Sequence, residues 1–100
     1  MKEEITILAV RVGQAPKIEK IPNTLEAFQK ICGGWIEGVH IKHAPKLTLY
    51  CNEEGKQLGL PYNRCGFVGD FFFTKINYHG NSISLTEKDI AEAEAAIKYE

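Results

Sequence analysis

Gly-Phe-Val-Gly-Asp-Phe-Phe-Phe-Thr-Lys-Ile, residues 66–76, is the most apolar run of the chain. Alternate residues of a strand point to opposite sides, so one side would carry Phe67, Phe71 and Phe73, and the other Val68, Phe72 and Ile76. Because both sides are apolar, we predict a strand that is covered on both faces of a sheet. Asp70 interrupts the run, and we expect it at an end, at a bulge beside Gly69, or paired with a cation.

Before this run, Leu47, Leu49 and Cys51 alternate with Thr48 and Tyr50, which predicts a half-buried strand. It leads into Asn-Glu-Glu-Gly, residues 52–55, a pattern typical of a type I turn with a left-handed Gly55 before the chain returns. We therefore predict a β-hairpin over residues 51–64. Gly59, Pro61 and Asn63 would hold Arg64 in an irregular part of it.

Three further strands are predicted from alternation and β-branched residues. Residues 4–12 form an interior strand, residues 17–21 a charged edge strand, and residues 82–85 a short closing strand. A fourth segment, residues 35–41, places Trp35, Glu37, Val39 and Ile41 on one face. Glu37 is either a solvated carboxylate at a strand end or a carboxylate in a semi-apolar cleft, where Arg64 would pair with it.

Two helices are predicted from their capping residues. Asn23 as N-cap and Glu26 favour a helix from Thr24 to about Cys32 that ends at a left-handed glycine of the pair 33–34. Its inward stripe would contain Leu25, Phe28, Ile31 and Cys32. Thr86 and Asp89 favour a second helix with an inward stripe of Ile90, Ala93 and Ile97, and with outward, solvated side chains at Glu87, Asp89, Glu92 and Glu94.

Length and composition are those of one globular unit. The chain has 100 residues, of which 44% are hydrophobic and 25% charged. We predict a single α+β domain over residues 1–100, with a mostly antiparallel sheet of five to six strands and two helices packed on it. The N-terminal residues are too polar for a signal peptide or a membrane span, and the protein is expected in the cytoplasm without a membrane partner.

Charge and cysteine content restrict the classes of function. The formal net charge of −1 argues against a nucleic-acid partner, which usually requires a basic surface. Cys32, Cys51 and Cys65 are too widely spaced to suggest disulfides or a zinc site. His40 and His43 lie on opposite faces of an extended chain, so no metal is expected. The chain lacks a phosphate or dinucleotide motif, and no cofactor is expected.

The candidate binding residues cluster in the predicted hairpin. Lys56 and Arg64 could bind an anionic group beside the amides of Asn52 and Asn63. Glu53 and Glu37 are neighbouring candidates, and Trp35, Tyr50 and Tyr62 could supply aromatic surface. In the alternative interpretation these residues serve stability, with Asn63 capping the turn and Arg64 tied to Glu37 or Asp70.

The segments 23–37 and 51–64, with the Gly-Asp pair at 69–70, resemble a family of small domains of unknown function encoded by bacteriophages, plasmids and related mobile elements. The family pattern singles out Asn52, Glu53, Gly55, Lys56, Pro61, Asn63 and Arg64, and it transfers no catalytic residue.

This resemblance implies an accessory protein of a bacterial host cell. We expect a non-enzymatic, homo-oligomeric binding protein whose 52–64 segment engages a host protein or sequesters a small anionic, nucleotide-like ligand, with an anti-defence or host-takeover role. The alternative is a small hydrolase or transferase that acts on a nucleotide or peptide. It would act through Glu37, Asp70 or a cysteine, such as Cys51 or Cys65 with His79.

Overall fold

A six-stranded antiparallel sheet forms the centre of the structure, a computed structural model that describes residues 3–99 but not the side chain of Tyr99. The strands are β1 (Glu4–Val10), β2 (Lys17–Pro22), β3 (Ile36–Ile41), β4 (Ala44–Asn52), β5 (Phe71–Ile76) and β6 (Ser82–Ile83), and the helices are α1 (Leu25–Cys32) and α2 (Glu87–Tyr99). The strand order is β2-β1-β5-β4-β3, and β6 pairs with β5. The predicted α+β fold is therefore confirmed.

The alternation of β5 determines how the helices are placed. Phe72 lies on one face with Phe28 and Cys32 of α1, at ring-centroid distances of 5.3 Å to Phe28 and 5.5 Å to Tyr50. Phe71 and Phe73 lie on the other face, in the cluster that α2 joins through Ala93, Ala96 and Ile97. Both faces of β5 are covered, as its sequence predicts. Small alanines allow α2 to approach the sheet closely.

Helix α1 begins one residue later than the capping pattern predicts. Its N-cap is Thr24, whose hydroxyl accepts a hydrogen bond of 3.1 Å from the amide of Ala27. The prediction of Asn23 is wrong because its amide instead donates to the carbonyl of Ser82 at 3.0 Å, a tertiary contact. Leu25, predicted to face inward, is 51% exposed. Gly33 ends the helix with a φ of 79°, as predicted.

Helix α2 begins with the predicted capping box. The amide of Thr86 donates to Asp89 at 2.9 Å, and the amide of Asp89 donates to the Thr86 hydroxyl at 3.2 Å. The prediction that Asp89 is solvated is wrong, because it is only 6% exposed and its carboxylate lies 3.4 Å from the ammonium of Lys75. Burial raises the pKa of Asp89, but the hydrogen bonds with Thr86 and the charge of Lys75 outweigh it and hold that pKa below its ordinary value.

The predicted hairpin over residues 51–64 does not form. After β4 the chain enters an 18-residue connection, residues 53–70, which contains turns, a single bridge between Tyr62 and Val68, and a short 3-10 helix at Arg64–Gly66. The hairpin prediction is wrong because β4 is already paired on both edges: Leu49 is opposite Val39 of β3 and Phe73 of β5. A returning strand has no edge to join.

Gly55 has a different role from the predicted left-handed turn residue. Gly59, and not Gly55, has a positive φ in this turn, at 68°. Gly55 is buried, and a Cβ atom there would lie 2.8 Å from Cγ2 of Val68. Gly55 is therefore required for the close approach of the chain to Val68.

Candidate functional site

The predicted site residues lie at one end of the sheet. There β1 and β4 finish, β3 and β5 begin, and the connections 11–16, 33–35 and 53–70 meet. Hydrogen bonds join these connections: the backbone amide of Glu53 donates to the carbonyl of Trp35 at 2.8 Å, and the backbone amide of Val12 donates to the carboxylate of Asp70 at 2.8 Å. We call this region the loop end of the molecule.

Asn63 fastens the 53–70 connection to the sheet. The side chain is 7% exposed, and its amide group donates to the carbonyls of Val10 at 2.9 Å and Gly69 at 2.8 Å. Its oxygen accepts from the amide of Arg64 at 2.8 Å. Both N–H donors are therefore used inside the protein, and Asn63 shapes the loop rather than offering these donors to a ligand.

Asn52 fastens the other side of the same connection. It is buried, its amide group donates to the carbonyl of Cys32 at 3.1 Å, and its oxygen accepts from the amide of Glu54 at 2.8 Å. Asn52 thereby links the end of β4 to the end of α1. Two buried amides thus fix a connection that has almost no regular secondary structure.

Large apolar side chains project from this anchored region. Trp35 is 64% exposed, Leu58 60% and Tyr62 73%. Tyr50, the third predicted aromatic, is different: it stacks on Phe28 at 5.7 Å and belongs to the core cluster on the α1 side. Trp35 and Tyr62 are therefore available for contact with a partner, and Tyr50 serves packing.

The two cations of the 53–70 connection are not neutralised by any residue that the structure describes. The side chains of Lys56 and Arg64 are exposed, and neither makes a hydrogen bond or ion pair with any residue of 3–99. The proposed ties to Glu37 and Asp70 do not form. Asp70 lies at the start of β5, one of the three positions expected for it, and accepts a hydrogen bond of 2.8 Å from the amide of Val12.

The nearby guanidinium of Arg11 is occupied. Arg11 is paired with Glu19 of β2 through two hydrogen bonds. The hydrogen bond with Glu19 raises the pKa of Arg11, and the same bond lowers the pKa of Glu19 below its ordinary value. Arg64 differs from Arg11 because its charge has no such partner among the described residues.

Most of the predicted binding residues line two separate depressions, but Trp35 is not among the described residues that line either one. A cleft of about 320 Å³ contains Glu37, Asn52, Glu53 and Lys56, together with Cys51, Gly55, Gln57, Gly66, Phe67 and Val68. A more open depression of about 410 Å³ contains Tyr62, Asn63 and Arg64 beside Gly13, Gln14 and Ala15. We call them the Glu37 cleft and the Arg64 depression. The sequence predicts a single site here, and the structure divides it in two.

Several lining residues of these depressions were not predicted from the sequence. Gly13, Gln14 and Ala15 come from the β1–β2 connection, and Phe67 and Val68 come from the apolar run 66–76 that was predicted to be a strand covered on both faces. No local pattern marks them, because they reach the site through long-range contacts such as the one from Asn63 to Val10.

The thiols are poorly placed for nucleophilic catalysis. Burial raises the pKa of Cys51 to about 11, with a further contribution from the charge of Glu37, and burial raises the pKa of Cys32 to about 12. Both thiols are protonated at neutral pH. His79 lies in the turn after β5, at the opposite end of the sheet from Cys51 and from the 53–70 connection that contains Cys65.

Residues 3–99 contain no group of three or more His, Cys, Asp or Glu side chains that could hold a metal ion. None of the helices described is long and apolar enough to cross a bilayer.

Comparison with known proteins places the chain in a family. Residues 5–98 match the family model described as Domain of unknown function (DUF3846). The chain belongs to the DUF3846 family. The match includes all of β1 except Glu4, every later strand, both anchoring asparagines and both depressions, so the loop end is part of the DUF3846 domain itself. No curated protein and no solved structure matches this DUF3846 chain.

Proposed function

We propose that this DUF3846 domain is a non-enzymatic binding protein that engages a host protein through the exposed side chains of its loop end. The observation that carries the proposal is the guanidinium of Arg64, which has no partner within residues 3–99. It lies beside the 73% exposed Tyr62, on a connection fixed by the buried Asn63. Tyrosine, tryptophan and arginine are the residues that most often dominate binding energy at protein interfaces. Trp35 adds a third residue of this kind at the same end.

Rigidity favours binding at this end. A loop that is ordered before it meets a partner does not lose that conformational freedom on association. The amides of Asn52 and Asn63 supply this order through four hydrogen bonds of 2.8–3.1 Å to backbone groups, and a fifth contact joins Asn63 to its neighbour Arg64. The exposed Leu58, Tyr62 and Arg64 are therefore presented from a fixed frame.

The open shape of the Arg64 depression favours a protein over a small ligand. Small-molecule sites are enclosed clefts that cover most of the ligand. The Arg64 depression is lined by a turn, residues 13–15, and by two exposed side chains, Tyr62 and Arg64. The charge of Arg64 is complementary to an acidic patch on a partner.

The biological setting extends the proposal. An accessory role in a bacterial cell that carries a phage or mobile element, including interference with a host defence, follows from the resemblance of the 51–64 motif. A homo-oligomeric state is part of the same proposal. A small anionic, nucleotide-like ligand is the second candidate, because Arg64 is the one charged residue among those described that line the Arg64 depression.

Quantitative cross-linking in host lysate tests the proposal with three proteins: wild type, Arg64→Ala and Lys46→Ala. Lys46 is the matched control, an exposed cation at the opposite end of β4. We expect a partner that is captured by wild type and Lys46→Ala but not by Arg64→Ala. Its affinity, measured with the purified partner, should fall by about 30-fold or more in Arg64→Ala. Equal capture by all three proteins would refute the role of Arg64.

Calorimetric titration with nucleoside mono- and diphosphates tests the second candidate. Binding by wild type that is lost in Arg64→Ala, without turnover of the nucleotide, would favour ligand sequestration. Conversion of the nucleotide during incubation would instead support the enzymatic alternative.

A further inference from the structure

The Glu37 cleft contains three charged side chains that do not neutralise one another. Glu37, Glu53 and Lys56 all line it, and none of the three forms an ion pair or a side-chain hydrogen bond with any residue of 3–99. Opposite charges at one cleft usually pair when their atoms can meet. In the Glu37 cleft, the carboxylates of Glu37 and Glu53 and the ammonium of Lys56 line the same cavity without pairing with one another.

The walls and floor of the cleft are built by the fold. Cys51 is 4% exposed, lies opposite Glu37 in the β3–β4 register and forms the floor. Phe67 and Val68 form an apolar wall, and the turn at Gly55 packs directly against Val68. The charge of Glu37 contributes to the raised pKa of the Cys51 thiol, so this carboxylate acts on the interior of the cleft.

We propose that the Glu37 cleft binds a small ligand with a cationic group, a carboxylate and a short aliphatic stem, the chemistry of a basic amino acid. Glu37 and Glu53 would bind the cation, Lys56 the carboxylate, and Phe67 and Val68 would contact the stem. The volume of about 320 Å³ is at the small end of ligand sites.

Charge balance selects a basic ligand over a neutral or acidic one. Two carboxylates and one ammonium leave the lining with a net charge of −1. A ligand of net charge +1 that also carries a carboxylate neutralises the lining as a whole and satisfies Lys56. The same chemistry occurs in a free basic amino acid and in a lysine or arginine at the C-terminus of a peptide.

The inference does not depend on the proposed protein partner. The partner surface is carried by Tyr62 and Arg64, which line the other depression, and by Trp35, which is not among the residues that line the Glu37 cleft. Arg64→Ala should therefore leave ligand binding in the Glu37 cleft unchanged, and Glu37→Gln should leave the partner interaction unchanged. Failure of one proposal is thus distinguishable from failure of the other.

Titration of the labelled protein with L-arginine, followed by amide chemical shifts, is the primary test. We expect saturable shifts at Gly55, Lys56 and Val68. Glu37→Gln should weaken binding by about tenfold or more, the loss of one charge-assisted hydrogen bond. Glu54→Gln is the matched control, because Glu54 is exposed and adjacent but does not line the cleft. All these side chains are exposed, so the variants should unfold at the wild-type temperature.

Agmatine, which is arginine without its carboxylate, tests the assignment of Lys56. Lys56→Met should weaken the binding of L-arginine by about tenfold. The binding of agmatine should stay unchanged or become tighter, since agmatine has no group for Lys56 to bind. A Gly-Gly-Arg peptide that binds as L-arginine does would identify a peptide C-terminus as the source, and one that fails to bind would identify the free amino acid. No saturable L-arginine shifts, or equal weakening by Glu37→Gln and Glu54→Gln, would overturn the proposal.

Discussion

The central strand β5 and the 53–70 connection are both fixed, but by different interactions. β5 is held by burial of Phe71, Phe72 and Phe73 between two helices. The connection is held by Asn52 and Asn63, whose amides satisfy backbone groups from distant parts of the chain. Apolar burial is non-directional and tolerates adjustment, whereas an amide must meet its partners in one geometry. The two amides therefore fix the 53–70 connection, which exposes apolar and cationic side chains, although this connection has no hydrophobic core of its own.

The largest expected effect tests the apolar side of this comparison. Phe72→Ala should lower the free energy of unfolding by about 3–5 kcal/mol, because Phe72 is fully buried between Phe28 and Tyr50. Denaturant unfolding measures the change. Phe72→Leu keeps most of the side-chain volume, so it should lower the free energy of unfolding by clearly less than Phe72→Ala does. Equal losses would mean that the ring geometry, and not the cavity, determines the stability of β5.

The next prediction tests the amide side. Asn63→Ala removes the donors to Val10 and Gly69, and should cost about 2–3 kcal/mol because these buried carbonyls lose their partner. Hydrogen exchange of amides in residues 61–69 should accelerate more than that of β5. Asn81→Ala, at an exposed turn, is the control and should be near neutral. Uniform acceleration across the sheet would contradict a local anchoring role.

A steric prediction concerns the contact between Gly55 and Val68. Gly55→Ala should cost about 1–3 kcal/mol, because its Cβ would lie 2.8 Å from Cγ2 of Val68. Val68→Ala removes the clashing methyl, so Gly55→Ala should cost less in that background. The coupling energy from the four unfolding curves measures this contact. Strict additivity would show that the cost at Gly55 comes from another source.

A pH prediction separates the connection from helix α2. The anchors of the connection are neutral amides, whereas α2 begins with Asp89, whose pKa lies below its ordinary value. A lowered pKa stabilises the folded state at pH above the unfolded pKa, and this contribution is lost as the pH falls through the folded pKa. Asp89→Asn should therefore lose less stability than wild type between about pH 5 and pH 2. If the free energy of unfolding of wild type and of Asp89→Asn fell in parallel with pH, Asp89 would not be the source of this pH dependence.

The smallest expected effect concerns the exposed face of the connection. Arg64→Ala should change the free energy of unfolding by less than about 0.5 kcal/mol, because its side chain has no partner among the described residues. Thermal unfolding measures this, with Lys46→Ala as the control. A loss of more than about 1 kcal/mol would show that Arg64 serves the fold, and it would weaken the proposed interface.

Most of the fold could be predicted from local signals. The Thr86 and Asp89 box, the left-handed Gly33 and the two-sided apolar pattern of Phe71 to Phe73 all act within a few residues, and the structure confirms them. Asn23 and Leu25 show where local signals fail. The Asn23 side chain bonds to Ser82, a contact that no neighbouring residue indicates.

The candidate site could be predicted only as a set of residues. The sequence marked Lys56, Tyr62 and Arg64 in one segment, but their division between two depressions depends on Val68, on the turn at residues 13–15 and on strand β3. The predicted hairpin failed for the same reason. Whether β4 has a free edge is decided by β3 and β5, and not by the residues that follow it.

By itself, the sequence determined most of the strands and both helices, because periodicity, capping and glycine conformation are local properties of the chain. The tertiary structure decided that Asn52 and Asn63 face inward and that Lys56 and Arg64 have no partner among the residues of the described range. The physical reason is that an amide or a charge is satisfied by whichever group the fold brings near it. For Asn63 that group belongs to Val10, 53 residues earlier in the chain.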